Sequence, residues 1–176
     1  MIIDSGPELV TLLGQPLDAP SVRQLLEELG LSPSPERKSG RTSVTKSAPR
    51  HGLEITFQPS KELRDGLAPG QSSECLVLSV IFFRAYRSPL DSGYVGVLPY
   101  GLQFTHSRTA AGALLGAPAG SSGRYKNDRW ALGSLNLTID FAEDEQSIAL
   151  VTVWLPWQPR RGAAVSNART ATSEKD

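Results

Sequence analysis

The sequence predicts an α+β fold: two helix-plus-β-hairpin repeats forming one antiparallel sheet, with helices packed on one face. Three observations carry this expectation. Turn and strand signatures occur twice in the same order, residues 20–29 show a helical apolar stripe, and two segments alternate apolar and polar residues with period two. The recurrence is Leu12-Leu13-Gly14-Gln15-Pro16 against Leu114-Leu115-Gly116-Ala117-Pro118, then Leu53-Glu54-Ile55-Thr56-Phe57 against Leu137-Thr138-Ile139-Asp140-Phe141. Leu78-Ser79-Val80-Ile81-Phe82 answers in kind to Val151-Thr152-Val153-Trp154-Leu155. Each set runs helix ending, alternating strand, second apolar strand.

Taken in order, residues 7–13 form a short helix opened by Pro7 and ended by Gly14. In 20–29, Val22, Leu25, Leu26 and Leu29 make one stripe, with Arg23, Gln24, Glu27 and Glu28 turned away. Pro20 suits a first helical turn and Gly30 a left-handed stop. Residues 31–50 are rich in proline, serine and basic side chains with almost nothing to bury, and read as a mobile linker. Residues 53–57 and 75–84 are strands, the second apolar on both faces. Tyr94–Leu102 is extended, broken by Pro99 and Gly101. Ser107–Leu115 is an alanine-rich helix, capped by Thr105 or Ser107 and stopped by Gly116. The glycine-rich run Gly116–Gly123 is a flexible turn. Residues 135–141 and 147–155 make a hairpin across the acidic turn Glu143-Asp144-Glu145. The expected organisation is one globular domain, 1–157, with pseudo-repeats at about 7–84 and 94–157, followed by a disordered tail at 158–176.

Composition narrows the function. A formal net charge of zero lacks the basic surplus a nucleic-acid binder needs to displace counterions. The start MIIDSGPELV lacks a secretory signal's charged and apolar regions, and the longest apolar runs are too short for a bilayer. A cytoplasmic protein with no membrane contact is expected. The single cysteine, Cys75, sits in an apolar run and reads as a small buried hydrophobe. His51 and His106 have no metal spacing, and the glycine-rich run lacks a phosphate loop's lysine. The acidic run lacks the oxygen spacing of a calcium loop. No catalytic, metal or cofactor site is expected, and the chain reads as a binding protein rather than an enzyme.

In the expected sheet, Leu53, Ile55, Phe57, Leu78, Val80 and Phe82 face inward, with Leu137, Ile139, Phe141, Val151, Val153 and Leu155. Glu54, Thr56, Ser79, Ile81, Asn136, Thr138, Asp140, Thr152 and Trp154 face outward. A tryptophan on a polar sheet face is an interface anchor. Trp154 is therefore the leading partner-binding residue, with Tyr100 and Trp157 near the rim. Glu54, Asp140, Glu143, Asp144 and Glu145 are expected to meet a basic partner surface.

The stretch Gly93–Pro118 contains Leu98-Pro99-Tyr100-Gly101-Leu102-Gln103-Phe104 and Leu115-Gly116-Ala117-Pro118, and Ile148-Ala149-Leu150-Val151-Thr152-Val153 follows. With the upstream strand His51-Gly52-Leu53-Glu54-Ile55-Thr56-Phe57, it resembles small immunity proteins encoded beside contact-delivered toxins of Gram-negative bacteria. The helix-plus-hairpin unit is also similar in topology to the β-lactamase inhibitor protein, a tandem repeat, and to single-repeat outer-membrane assembly lipoproteins. The resemblance covers about residues 51–157. It implies a non-enzymatic immunity protein of interbacterial competition and type VI secretion that occludes a cognate toxin's active site. The alternative is a secretion-accessory or adaptor protein that binds an effector component without inhibiting it. A hydrolase or transferase using His51 or His106 is the third reading.

Overall fold

The computed structural model describes residues 2–34, 42–63, 75–86 and 92–157. The fold is α+β, built on one antiparallel seven-stranded sheet. The strands are β1 (Val44–Ala48), β2 (Leu53–Pro59), β3 (Leu76–Arg84), β4 (Gly120–Ser122), β5 (Asn127–Leu132), β6 (Leu135–Phe141) and β7 (Ile148–Trp154), in the order β1-β2-β3-β7-β6-β5-β4. The N-terminal meander thus meets the C-terminal one where β3 pairs with β7. β7 covers only the second half of β3. Beside its first half runs Gly14–Leu17, with Gly14 N donating to Leu78 O, Leu78 N to Gln15 O and Leu17 N to Leu76 O. The first LLGxP motif therefore acts as a short sheet edge.

The helices form where local signals place them. Helix α1 (Gly6–Val10) starts at Ser5, whose hydroxyl accepts from Glu8 N, with Pro7 in the first turn. It is shorter than the expected 7–13 and passes through turns to Gly14. Helix α2 (Pro20–Glu28) buries Val22, Leu25 and Leu26, and its chain leaves through Gly30 at φ +65°. Helix α3 (Arg108–Leu115) is capped by Ser107, which accepts from Ala110 N, and ends at Gly116. All three pack into one core. Leu9, Leu25, Leu26 and Ala111 join Leu53, Ile55, Phe57, Leu78, Ile81, Phe83, Leu137, Ile139, Phe141, Val151 and Val153.

Four expectations need correction. The linker 31–50 is not a linker throughout: Val44–Ala48 is edge strand β1, and Pro49–His51 is a 3-10 turn. Val44 and Ala48 supply its apolar contacts, too few for the sequence pattern to stand out. Residues 35–41 and the expected tail 158–176 lie outside the described residues. Tyr94–Leu102 is not a strand but a connection with one bridge, Val97 to Ser5, and a 3-10 turn at Pro99–Gly101. The glycine-rich run is not merely a turn, since Gly120–Ser122 forms β4.

The fourth correction concerns strand phase. In β2–β3 the register shifts between Thr56, opposite Val80, and Phe57, opposite Leu78, so Ser79 is the extra residue of a bulge. Its hydroxyl donates to Thr56 O at 2.9 Å and it is fully buried. One added residue reverses the alternation. Ile81 and Phe83 therefore face the helices, and Val80 and Phe82 face the other side, the reverse of the simple reading. A matching shift lies in β6–β7, where Asp140 opposes Leu150 and Phe141 opposes Ile148.

Candidate interaction face

The sheet's second face receives no helix among the described residues, and strand pairing fixes its composition. One row across it reads Thr45, Thr56, Val80, Trp154, Asn136 and Ala131. The next reads Ser47, Glu54, Phe82, Thr152, Thr138, Arg129 and Gly120. A third holds Arg84, Leu150, Asp140, Asn127 and Ser122. Val80, Thr56 and Thr152 are buried, and Trp154 and Phe82 half-buried.

Trp154 donates its indole N–H to Thr138 Oγ1 at 3.2 Å, and its ring lies 6.0 Å from that of Trp157 at 60°. Trp157 is 53% exposed and bridges backbone to backbone with Leu63. These two expected residues are brought together into one aromatic patch on the helix-free face. Tyr100 is not part of it. It sits at φ +59° in the 3-10 turn and packs against the core on the helix side, where burial raises its phenol pKa.

The five expected carboxylates separate. Glu54 lies on the face but pairs with Arg84 at 3.4 Å, and Arg84 also stands 6.0 Å over the Phe82 ring. Asp140 accepts from Asn127 Nδ2 at 3.1 Å. Glu143 and Asp144 are exposed in the β6–β7 turn. That turn is at the far end of β7 from Trp154, roughly 20 Å away at the rise of an extended strand. Glu145 turns inward at φ +59° and binds Lys126 Nζ at 2.9 Å and Arg108 Nη1 at 3.2 Å. Those hydrogen bonds, from Lys126 first and Arg108 next, lower its pKa. A single acidic surface around Trp154 is therefore not what these residues build.

Glu145 belongs to a clasp under α3. Arg108, the first residue of that helix, grips Asp128 with Nε at 2.9 Å and Nη2 at 2.6 Å, and its backbone N–H donates to Glu145 O. Burial pushes the Asp128 carboxyl up, but hydrogen bonds from Arg108 and Ser121 outweigh it and hold it below its usual range. The other end of α3 is tied by Trp130, whose Nε1 donates to Gly116 O at 3.0 Å. Asp128 and Trp130 are both core-facing residues of β5, so one strand fixes both ends of the helix. The clasp is structural.

Beside Trp154, between β4, β5 and β6, lies a polar cleft of about 330 Å³ lined by Gly120, Ser121, Ser122, Asn127, Arg129 and Thr138. Arg129 makes no ion pair among the described residues. Sequence reasoning missed the cleft because it did not identify β4 and β5. The signal was weak: Asp128 occupies a core-facing position and masks the alternation that Trp130 would otherwise reveal.

The cysteine and the two histidines lie in separate parts of the described structure. Cys75 Sγ lies 3.8 Å from the carbonyl of Leu76, and the thiol is pushed up by burial and by Asp18. It is half-buried rather than fully buried as expected. His51 lies in the 3-10 turn before β2, and His106 Nδ1 is buried without a hydrogen-bond partner. Among the described residues, no group of three or more His, Cys, Asp or Glu side chains is placed to hold a metal, and no helix is long and apolar enough to cross a membrane. Comparison of the chain with protein-family models, characterised proteins and solved structures found no match.

Proposed function

We propose that this chain is a non-enzymatic binding protein of immunity type, which neutralises a cognate bacterial toxin in the cytoplasm by covering its active site with the helix-free sheet face. The observation that carries the reading is the Trp154–Trp157 pair, set on a broad face that no described helix covers. Large aromatic side chains flanked by polar groups act as anchors because they desolvate much area at little entropic cost. The resemblance of Leu98–Phe104 and Leu115–Pro118 to immunity proteins supplies the inhibitory role. Inhibition would be steric, since a seven-stranded face is wide enough to close a substrate groove.

The same reading includes a duplicated origin for the two halves. Matching register shifts, Phe57 opposite Leu78 and Phe141 opposite Ile148, support it. They align Leu78 with Ile148 rather than with Val151. A duplicated sheet doubles the width of the face that one hairpin could present.

The test is capture from the native host with wild type and Trp154→Ala, followed by co-expression of the captured partner. The expected result is one partner at near one-to-one ratio, whose toxicity wild type suppresses. Loss of one buried aromatic anchor, worth about 2 kcal/mol or more, weakens binding roughly 30-fold. Binding without any change in partner activity would make the chain an adaptor. Binding indifferent to Trp154 would remove the sheet face from the interface.

A further inference from the structure

We infer that the cleft beside Trp154 receives a carboxylate side chain, Asp or Glu, from the protein partner, with Arg129 as its guanidinium clamp. This inference rests on the helix-free face being the interface. Its basis is the hydrogen-bonding state of the lining groups. Thr138 Oγ1 already accepts from the Trp154 indole, so its hydroxyl hydrogen remains to be donated. Ser122 Oγ accepts from Tyr125 N, which leaves its hydrogen in the same position. Arg129 offers only donors and pairs with no carboxylate among the described residues.

The neighbouring acids are committed elsewhere. Asp128 lies on the opposite face in the grip of Arg108, and Asp140, one row along on the same face, turns one oxygen to Asn127 and makes no ion pair with Arg129 among the described residues. Gly120 lies directly beside the guanidinium, where even a Cβ would stand 3.4 Å from Arg129 Nη2. A cleft with spare donors, and no carboxylate among its lining residues, selects an anionic acceptor.

A carboxylate fits better than a phosphate. One guanidinium lines the cleft, and the fork geometry of arginine matches a singly charged carboxylate through two parallel hydrogen bonds. Neither nearby cation lines the cleft: Lys126 pairs with Glu145, and Arg124 stands 5.4 Å over the Tyr125 ring. The source is placed on a protein because the cleft shares Thr138 with the Trp154 anchor, so one ligand surface meets both. The charge sense is thus opposite to the sequence expectation: on this face the partner supplies the acid.

The experiment is an NMR titration of the full 15N-labelled chain with N-acetylglutamate N-methylamide, its neutral glutamine analogue, and inorganic phosphate. The glutamate probe is expected to produce saturable millimolar shifts at the Arg129 Nε–H and at the Ser122 and Thr138 amides. The glutamine analogue should produce none. Arg129→Gln should weaken the response at least tenfold while the rest of the spectrum holds. No saturable response in wild type, or one that survives Arg129→Gln, overturns the clamp. Phosphate binding more tightly than glutamate overturns the carboxylate assignment in favour of a free small anion. Because the titration uses a small probe on the purified chain and the capture needs the native partner, failure of the clamp is separate from failure of the Trp154 capture experiment.

Discussion

Breaking the clasp beneath α3 should destabilise the fold asymmetrically. The Asp128 side chain is 6% exposed and that of Arg108 23%. Removing one member of a buried pair typically costs about 3–5 kcal/mol, because the survivor stays buried and uncompensated. Arg108→Met leaves the Asp128 carboxylate enclosed with only the Ser121 hydroxyl, so its cost should sit near the low end of that range, about 3 kcal/mol. Asp128→Ala leaves Arg108 with Glu145 and a path to water, and should cost about 2 kcal/mol. For a chain of this size those values lower Tm by roughly 4–12 °C. The double variant should be no worse than Arg108→Met alone, since the two residues act as a unit. Urea denaturation of the four proteins measures this cycle. Single costs below about 0.5 kcal/mol, or simple additivity, would show that the pair behaves as an exposed surface bridge and that β5 does not fix α3 through it.

Two further outcomes follow from the same geometry. Asp128 and Glu145 have folded-state pKa values below their ordinary ones, so the unfolded chain binds more protons in the acid range and stability rises with pH there. Their contribution is complete above a pH of about 4–5 and is lost as pH falls through the lowered values; urea midpoints between pH 7 and pH 3 should drop for wild type and drop less for Asp128→Asn, and equal slopes would refute the linkage. Gly52→Ala should unfold the chain or nearly so, because at φ +61° its Cβ would sit 2.0 Å from Tyr94 N, whereas Gly30→Ala at φ +65° meets no atom within 4 Å and should cost only the left-handed penalty of about 1–2 kcal/mol. Thermal melts of the pair decide it, and comparable costs would mean that the 92–94 connection is not packed against Gly52.

How much of this was legible in the sequence follows from how each element earns its stability. Helix α2 was readable because all its information is local: a stripe at Val22, Leu25 and Leu26, Pro20 before it and Gly30 after. β2 and β6 were readable because Leu53, Ile55 and Phe57, and Leu137, Ile139 and Phe141, alternate without interruption. β1, β4 and β5 were not. β1 and β4 are edge strands with little to bury, and β5 spends a core-facing position on Asp128, whose partner Arg108 lies in another element. Of the candidate site, Trp154 and Trp157 were found together because an aromatic on a polar strand face is conspicuous in one dimension. The acids were misgrouped because nothing local records that Glu145 reaches Arg108 and Lys126, or that Glu54 reaches Arg84.

The phase of β3 matters most for function. Leu76–Arg84 is apolar throughout, so periodicity alone cannot choose which side chains face the helices. The choice is made by one buried hydroxyl: Ser79 bonds to Thr56 O inside the bulge, and the residues beyond it change sides. Val80 and Phe82 thereby come to lie in rows with Trp154 and Thr152, and Leu150 follows on β7. The helix-free face thus has Val80 and Phe82 at its apolar middle, where the unbulged strand would have put Ile81 and Phe83. Around it stand Thr45 and Ser47 at one edge and Asn127, Arg129 and Ser122 at the other. An apolar centre within a polar rim is the anatomy of a protein interface. Because β3 is apolar on both sides, either phase gives the face an apolar middle; the bulge sets which side chains stand in register with Trp154 and Thr152, and so which ones the binding role proposed for the face would use.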